Sequence, residues 1–158
     1  MIQPPFLIPG DGLSIVSPAS IINPDYVKGA VERLESWPVG VSVSLHCLGR
    51  SGVYSGTVEE RLDDLRTALY DSEVKAILCS RGGYGTVHLL DSLAPDVAHN
   101  PKWIIGFSDI SALHALCVSR GIMSLHAPMC KHLTAESDDD RCTQYLRQIL
   151  FGEIPHYH

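Results

Sequence analysis

Short runs of β-branched and other apolar residues alternate along this chain with windows of helical periodicity, and few folds accommodate that alternation. Residues 12–17 (GLSIVS) read as a first strand stopped by Pro18, and Asn23-Pro24-Asp25 then opens a helix. Asn is a good cap and Pro suits the first helical position. Val27, Val31 and Leu34 give that helix one buried stripe, and Pro38 and Gly40 end it. Residues 41–47 form a second strand, followed by a glycine- and serine-rich loop at 49–56. Thr57-Val58-Glu59-Glu60 is a capping box for a helix with Leu62, Leu65 and Leu69 on its core face.

Residues 74–79 (VKAILC) predict a third strand, apolar enough to be buried on both faces. After the turn Arg81-Gly82-Gly83-Tyr84-Gly85, residues 86–93 read as helical and 103–106 as a fourth strand. Ser108 or Asp109 is expected to cap a helix carrying Ile110, Leu113, Leu116 and Cys117. A fifth strand at 122–125 ends in His126-Ala127-Pro128. The acidic run 136–140 suits the amino end of a last helix, with Cys142, Leu146, Ile149 and Leu150 on one face.

This order predicts one α/β domain, a doubly wound and mostly parallel sheet with helices on both faces, in a flavodoxin-like or Rossmann-like arrangement. A chain of 158 residues can bury such a core, and neither an internal repeat nor a linker divides it. Ligands of such sheets bind at the carboxyl ends of the strands.

Several function classes are excluded. Lys+Arg number 12 against 18 Asp+Glu, giving a net charge of −6 without a basic run, so a nucleic-acid partner is not expected. No stretch approaches the ~20 apolar residues of a membrane helix, and a membrane partner is not expected either. Met1-Ile2-Gln3-Pro4-Pro5 lacks the basic start of a signal peptide. Cys47, Cys79, Cys117, Cys130 and Cys142 are odd in number and never spaced CxxC. They argue against a disulfide framework or a zinc site and for a cytoplasmic chain, each cysteine being read as a small buried hydrophobe.

Two loops at predicted strand ends can carry chemistry. In Gly106-Phe107-Ser108-Asp109, a serine on a sharp strand-to-helix turn has its hydroxyl above the sheet, as in a nucleophile elbow. The Asp109 amide would then point where an oxyanion forms. Ile110 stands where the hydrolase consensus has its second glycine, so that motif is half met, and Ser108 and Asp109 also read simply as helix caps. Arg81-Gly82-Gly83-Tyr84-Gly85 allows close backbone approach and could hold a carboxylate, phosphate or oxyanion, or be a plain tight turn.

A serine nucleophile needs a base and an orienting acid. None of the eight histidines is well placed. His114 is on the helix after Ser108 and points away. His126 is near enough to line the site but has no evident acid behind it. His88 follows the glycine turn, and His156 and His158 end the chain.

Taken in order, Arg81-Gly82-Gly83-Tyr84-Gly85, Gly106-Phe107-Ser108-Asp109-Ile110-Ser111 and His126-Ala127-Pro128-Met129 resemble the LD-carboxypeptidase family of serine peptidases, and Val16-Ser17-Pro18-Ala19-Ser20 is similar to its first strand and loop. The resemblance covers the whole chain but only the amino-terminal half of a family member. It implies a cytoplasmic hydrolase of peptidoglycan recycling that cleaves the amide before a carboxy-terminal D-amino acid in murein peptides. It implies Ser108 as nucleophile, the amides of Asp109 and Gly83 as oxyanion hole, and no metal or organic cofactor. Arg81 is the candidate for the substrate carboxylate, with Gly82, Tyr84 and His126 as further substrate-binding residues. The family's Glu and His partners lie in a carboxy-terminal domain absent here, so residues 1–158 alone are expected to be inactive, and the full-length protein is expected to form a homo-oligomer. A domain built for such a partner should expose apolar surface near Ser108 and on its last helix. The family usually has glycine where Ala127 stands. Alternatives are a family member acting on a peptidyl-nucleotide antibiotic, a non-catalytic domain binding peptide or carboxylate, and a flavodoxin-like nucleotide-binding module, which lacks a phosphate fingerprint.

Overall fold

Ile77 and Leu78, and likewise Ile104 and Ile105, are neighbours in sequence that bury into opposite cores. Successive side chains of a strand point to opposite faces, so both strands must be covered on both sides. The computed structural model, which describes residues 1–156, shows how. Five parallel strands lie in the order β2 (Gly40–Val43), β1 (Gly12–Val16), β3 (Val74–Cys79), β4 (Trp103–Gly106), β5 (Leu125–His126). On one face, α2 (Val58–Tyr70), α3 (Leu90–His99) and α4 (Ser111–Ser119) bring Leu65, Leu93 and Leu113 onto Ile77 and Ile104. On the other, α1 (Pro24–Leu34), α5 (Cys130–Ala135) and α6 (Arg141–Leu150) bring Leu34, Leu133 and Leu146 onto Leu78 and Ile105. The strand order reverses between β1 and β3, so the ligand crevice of this topology lies over their carboxyl ends. The doubly wound parallel architecture is the one the sequence predicts, with the third and fourth strands at their expected bounds.

The caps of α1 and α2 also form as read. Asn23 Oδ1 accepts from the Asp25 amide at 2.9 Å, and Thr57 and Glu60 form the reciprocal capping box.

The departures have local causes. β2 ends at Val43, short of Cys47, because the chain turns so that the Ser44 hydroxyl and the His46 amide reach the buried Asp64 carboxylate on α2. Ile122 pairs with Ile2 of the amino-terminal segment, which displaces β5 to Leu125–His126. Neither Ser108 nor Asp109 caps a helix through its side chain; the turn Ser108–Ile110 and α4 have no side-chain cap. Helix α5 was not anticipated. It packs so closely on α1 that a methyl at Gly29 would lie 2.3 Å from Thr134 Cγ2. His158 lies outside the described residues, and His156 is exposed. No helix of the described residues is long and apolar enough to cross a membrane.

Four cysteines are buried as expected, but Cys142 is exposed on the outer side of α6. Burial pushes the Cys47 and Cys117 thiols up to about 11 and raises Cys79 and Cys130 as well. A thiolate is the reactive form. An aromatic disulfide reagent at about pH 8 should therefore modify one of the five thiols rapidly in the native chain, at Cys142, and all five in denaturant. Rapid reaction of a second native thiol would contradict this burial.

Asp140 caps α6, accepting from the Thr143 amide at 2.8 Å and from His132 Nε2 at 2.7 Å. Burial works against its carboxylate, yet His132 and Thr143 outweigh that and hold it below the usual range. A depressed carboxylate stabilises the fold above its unfolded pKa, and this is lost as pH falls through the folded value. Asp140→Asn keeps a capping oxygen but removes the charge that faces His132 and the helix end, and should cost about 0.5–1 kcal/mol at neutral pH. The deficit should shrink as the pH falls from about 7 to about 2, toward the depressed folded value. Urea melts at both pH values measure it; equal deficits at both would remove the charge from the account.

Candidate active site

The turn after β4 is strained. Gly106 leads into extended Phe107, and Ser108 then adopts φ +63°, the single non-glycine positive φ among the described residues. A left-handed L-residue costs on the order of 1–2 kcal/mol, so the surroundings must impose it. Space is one reason: a methyl at Gly106 would sit 2.9 Å from Ile110 Cγ2, so the chain folds tightly back on itself. Asp109 is another. Its Oδ2 accepts from the Thr86 amide at 2.9 Å and the Thr86 hydroxyl at 2.6 Å, tying the turn to the end of the glycine loop.

That loop follows β3, the neighbour of β4, and the two turns meet. A methyl at Gly82 would lie 2.9 Å from Ser108 Cβ and 3.1 Å from both Ser108 Oγ and the Asp109 amide nitrogen. Gly83 and Gly85 have φ of +100° and +126°. The loop is laced to the end of β1: Ser20 N donates to Gly82 O at 3.2 Å, and Tyr84 N to Ser20 Oγ at 3.1 Å. Beneath it, Arg61 is buried and donates to the carbonyls of Pro18 and Gly85.

A cavity of about 720 Å3 opens beside Ser108 and is lined by Arg81, Gly82, Gly83, Phe107 and Ser108. Arg81 is exposed and anchored by one Nη1 bond to Ile21 O at 2.7 Å. The structure therefore brings Ser108, Gly82, Gly83 and Arg81 to one place. Tyr84 is 55% exposed and packs on Tyr54 and His88, with centroids 6.4 and 5.4 Å away, and it does not line this cavity. His126 is exposed, its ring 5.9 Å from that of Phe107, and it too is outside the lining.

His114 is a bracket, not a base. Its Nε2 donates to Gly106 O at 2.9 Å, and its Nδ1 meets the Ser124 hydroxyl at 2.8 Å. Burial lowers its pKa, against the opposing bond to Gly106, so the ring is neutral. Among the described residues the Ser108 hydroxyl has no hydrogen-bond partner.

Sequence reasoning missed part of this cavity. Tyr26 on α1 and Met129, Lys131 and His132 around α5 also line it. The run Cys130–Ala135 is too short for periodicity to reveal. Two groups bring metal-ligand atoms within 4.8 Å of one another, His46–Asp63–Asp64 and His132–Asp140–Cys142. In each, a carboxylate is already engaged by protein donors, Asp64 by Ser44 and Asp140 by Thr143.

Fold and turns together define an open α/β domain that presents a strained serine against a glycine loop at the carboxyl ends of neighbouring strands. The model of the LD-carboxypeptidase N-terminal domain matches residues 13–127. The chain belongs to the LD-carboxypeptidase family. It is 36% identical over 128 residues to the murein tetrapeptide carboxypeptidase of Pseudomonas aeruginosa, covering 79% of this chain and 42% of that protein. It is 40% identical over 139 residues to a relative from Synechocystis sp., covering 87% of this chain and 46% of that one. The crystal structure of an MccF-like protein from Bacillus anthracis superposes with a TM-score of 0.87 at 30% identity, over 95% of this chain and 47% of that one. The muramoyltetrapeptide carboxypeptidase of Oxalobacter formigenes shares the fold, with a TM-score of 0.79 at 23% identity over 87% of this chain and 47% of that one. The chain thus spans about half the length of the relatives it matches.

Proposed function

We propose that residues 1–158 are the nucleophile-bearing part of a serine LD-carboxypeptidase that removes a carboxy-terminal D-amino acid from murein peptides. The observation that carries this reading is Ser108 at φ +63° on a strand end, with Gly82 pressed against it. Strain of this kind persists where it presents a reacting group. Ser108 Oγ attacks the scissile carbonyl, and the amides of Asp109 and Gly83 receive the oxyanion, in a gap that only a glycine at position 82 leaves open. Collapse of the tetrahedral intermediate expels the D-amino acid, whose nitrogen takes up a proton. The cavity lining carries two cations, Arg81 and Lys131, against one carboxylate, Glu136, a balance that suits a peptide with free carboxylates.

The proton carrier is the part these residues do not supply. Among the described residues the Ser108 hydroxyl has no partner, and the matched relatives are about twice as long, which supports a His and a Glu contributed by a second domain. Exposed Phe107, at 40%, and Val87, at 47%, are apolar surface near these turns of the kind a partner domain covers.

D-Alanine release from a murein tetrapeptide tests the reading. Residues 1–158 alone should release none above background, and adding the separately produced carboxy-terminal half of the Pseudomonas aeruginosa relative should restore release. Vigorous release by the chain alone would place the base among its own histidines. Failure to bind the tetrapeptide at all would remove the murein assignment.

A further inference from the structure

Arg61, on α2, is 2% exposed and ranks first by volume among the fully buried side chains of the described residues. Among those residues it forms no ion pair. Its guanidinium instead donates to four carbonyl oxygens. Nε reaches Gly56 at 3.1 Å and Thr57 at 3.3 Å; Nη1 reaches Pro18 at 2.8 Å and Gly85 at 3.0 Å. One face lies 4.9 Å over the Tyr54 ring. A buried cation without a carboxylate is costly, and an apolar side chain of the same volume would hold a core more cheaply. Core packing therefore does not account for it.

The bond to Gly85 does. The peptide group between Gly85 and Thr86 offers its oxygen to Arg61 Nη1 and its N–H to Asp109 Oδ2. In a trans peptide these two point in opposite directions. A cation and a carboxylate thus grip opposite ends of one peptide plane, and each bond polarises the other. Asp109 is the residue after Ser108, and its backbone amide faces Gly82. The same guanidinium holds Pro18, two residues before Ser20, whose amide and hydroxyl bind Gly82 O and the Tyr84 amide. The Arg61 fork thus ties together the three segments that carry the glycine loop.

We propose that Arg61 is a positioning residue: through the Gly85–Thr86 peptide and the Pro18 carbonyl it holds the glycine loop against the Ser108–Asp109 turn and so sets the geometry of the oxyanion site. This rests on the reading of that loop as the oxyanion site. The fork sets its donors on two separated atoms, Nε for Gly56 and Thr57 and Nη1 for Pro18 and Gly85; a lysine ammonium places its three donors on one atom and cannot reach both pairs from the same helix position.

Amide hydrogen exchange in the 158-residue chain tests it without turnover. In Arg61→Gln and Arg61→Lys, the amides of Ser20, Tyr84 and Thr86 should exchange at least about tenfold faster, while those of Ile77, Ile104 and Ile105 stay within about twofold of the unmutated chain. Lysine should not rescue. Uniform acceleration, which general destabilisation produces, would overturn the proposal, as would unchanged exchange or full rescue by lysine. If neither variant folds, Asp109→Asn loosens the same peptide from its other end and should accelerate the same three amides; unchanged exchange there would also overturn it. Ser108→Ala should exchange like the unmutated chain. A failed serine mechanism would therefore leave this result intact, and a failed positioning role would leave the serine mechanism standing.

Discussion

Ser108→Ala should abolish D-alanine release by the reconstituted two-part protein, with a fall of at least about 10⁴-fold, and should change nothing measurable in the 158-residue chain. The asymmetry follows from the chemistry. On the proposed mechanism the hydroxyl forms the covalent bond in the complete site, and loss of the nucleophile leaves only the oxyanion donors and binding, worth roughly 10³–10⁴ over water. On the same reading the 158-residue chain leaves Ser108 a neutral hydroxyl without a base, already at that level. The same variant should keep its stability, because alanine bears the same Cβ into the left-handed turn at φ +63°. Ser108→Gly should be slightly more stable, by about 1 kcal/mol or less, since it relieves strain at the cost of chain entropy. Release rates and urea melts of both variants decide the matter. Undiminished release by the reconstituted Ser108→Ala protein would remove Ser108 from the mechanism.

Gly82→Ala should be nearly as damaging for a different reason. Its methyl would stand 2.9 Å from Ser108 Cβ and 3.1 Å from the Asp109 nitrogen, and backbone nitrogen cannot rotate away. The two turns must separate, at a cost of about 1–3 kcal/mol. Separation widens the gap between the proposed oxyanion donors, and loss of one such donor costs about 10²–10³ in rate. Gly121→Ala is the control. Its φ is +70° but nothing lies within 4 Å of the added methyl, so it bears only the backbone penalty, about 1 kcal/mol, and turnover should be unchanged. Gly82→Ala with full stability and full activity would mean that the loop and the turn do not cooperate.

The parts of this protein that were legible in its sequence are those governed by short-range rules. Val74–Cys79 is a strand because five apolar residues in a run of six between turn signals fit a position buried on both faces. Asn23 and Thr57 mark helix starts because their side chains reach amides two and three residues on. Alternation of such elements sufficed for a doubly wound sheet; the glycines stood out because they permit turns that other residues resist, and Ser108 because it follows a predicted strand end as a nucleophile elbow would.

What contacts between distant segments decide was not legible. Asp109 reads as a helix cap, but its carboxylate turns to Thr86, 23 residues away, because strand order places β3 beside β4. The fifth strand starts late because Ile2 takes the pairing that Ile122 was expected to give it. α5 carries too few residues for a periodic signal, and it forms because Gly29 lets it settle on α1. Arg61 looks like one more charge on an amphipathic helix until four carbonyls from three separate segments converge on it. Local periodicity and backbone sterics determine elements and turns, since neighbours along the chain settle them. The meeting of the glycine loop with the Ser108 turn was expected from the family resemblance, whereas the burial of a cation to hold it depends on long-range packing, which only the folded chain specifies.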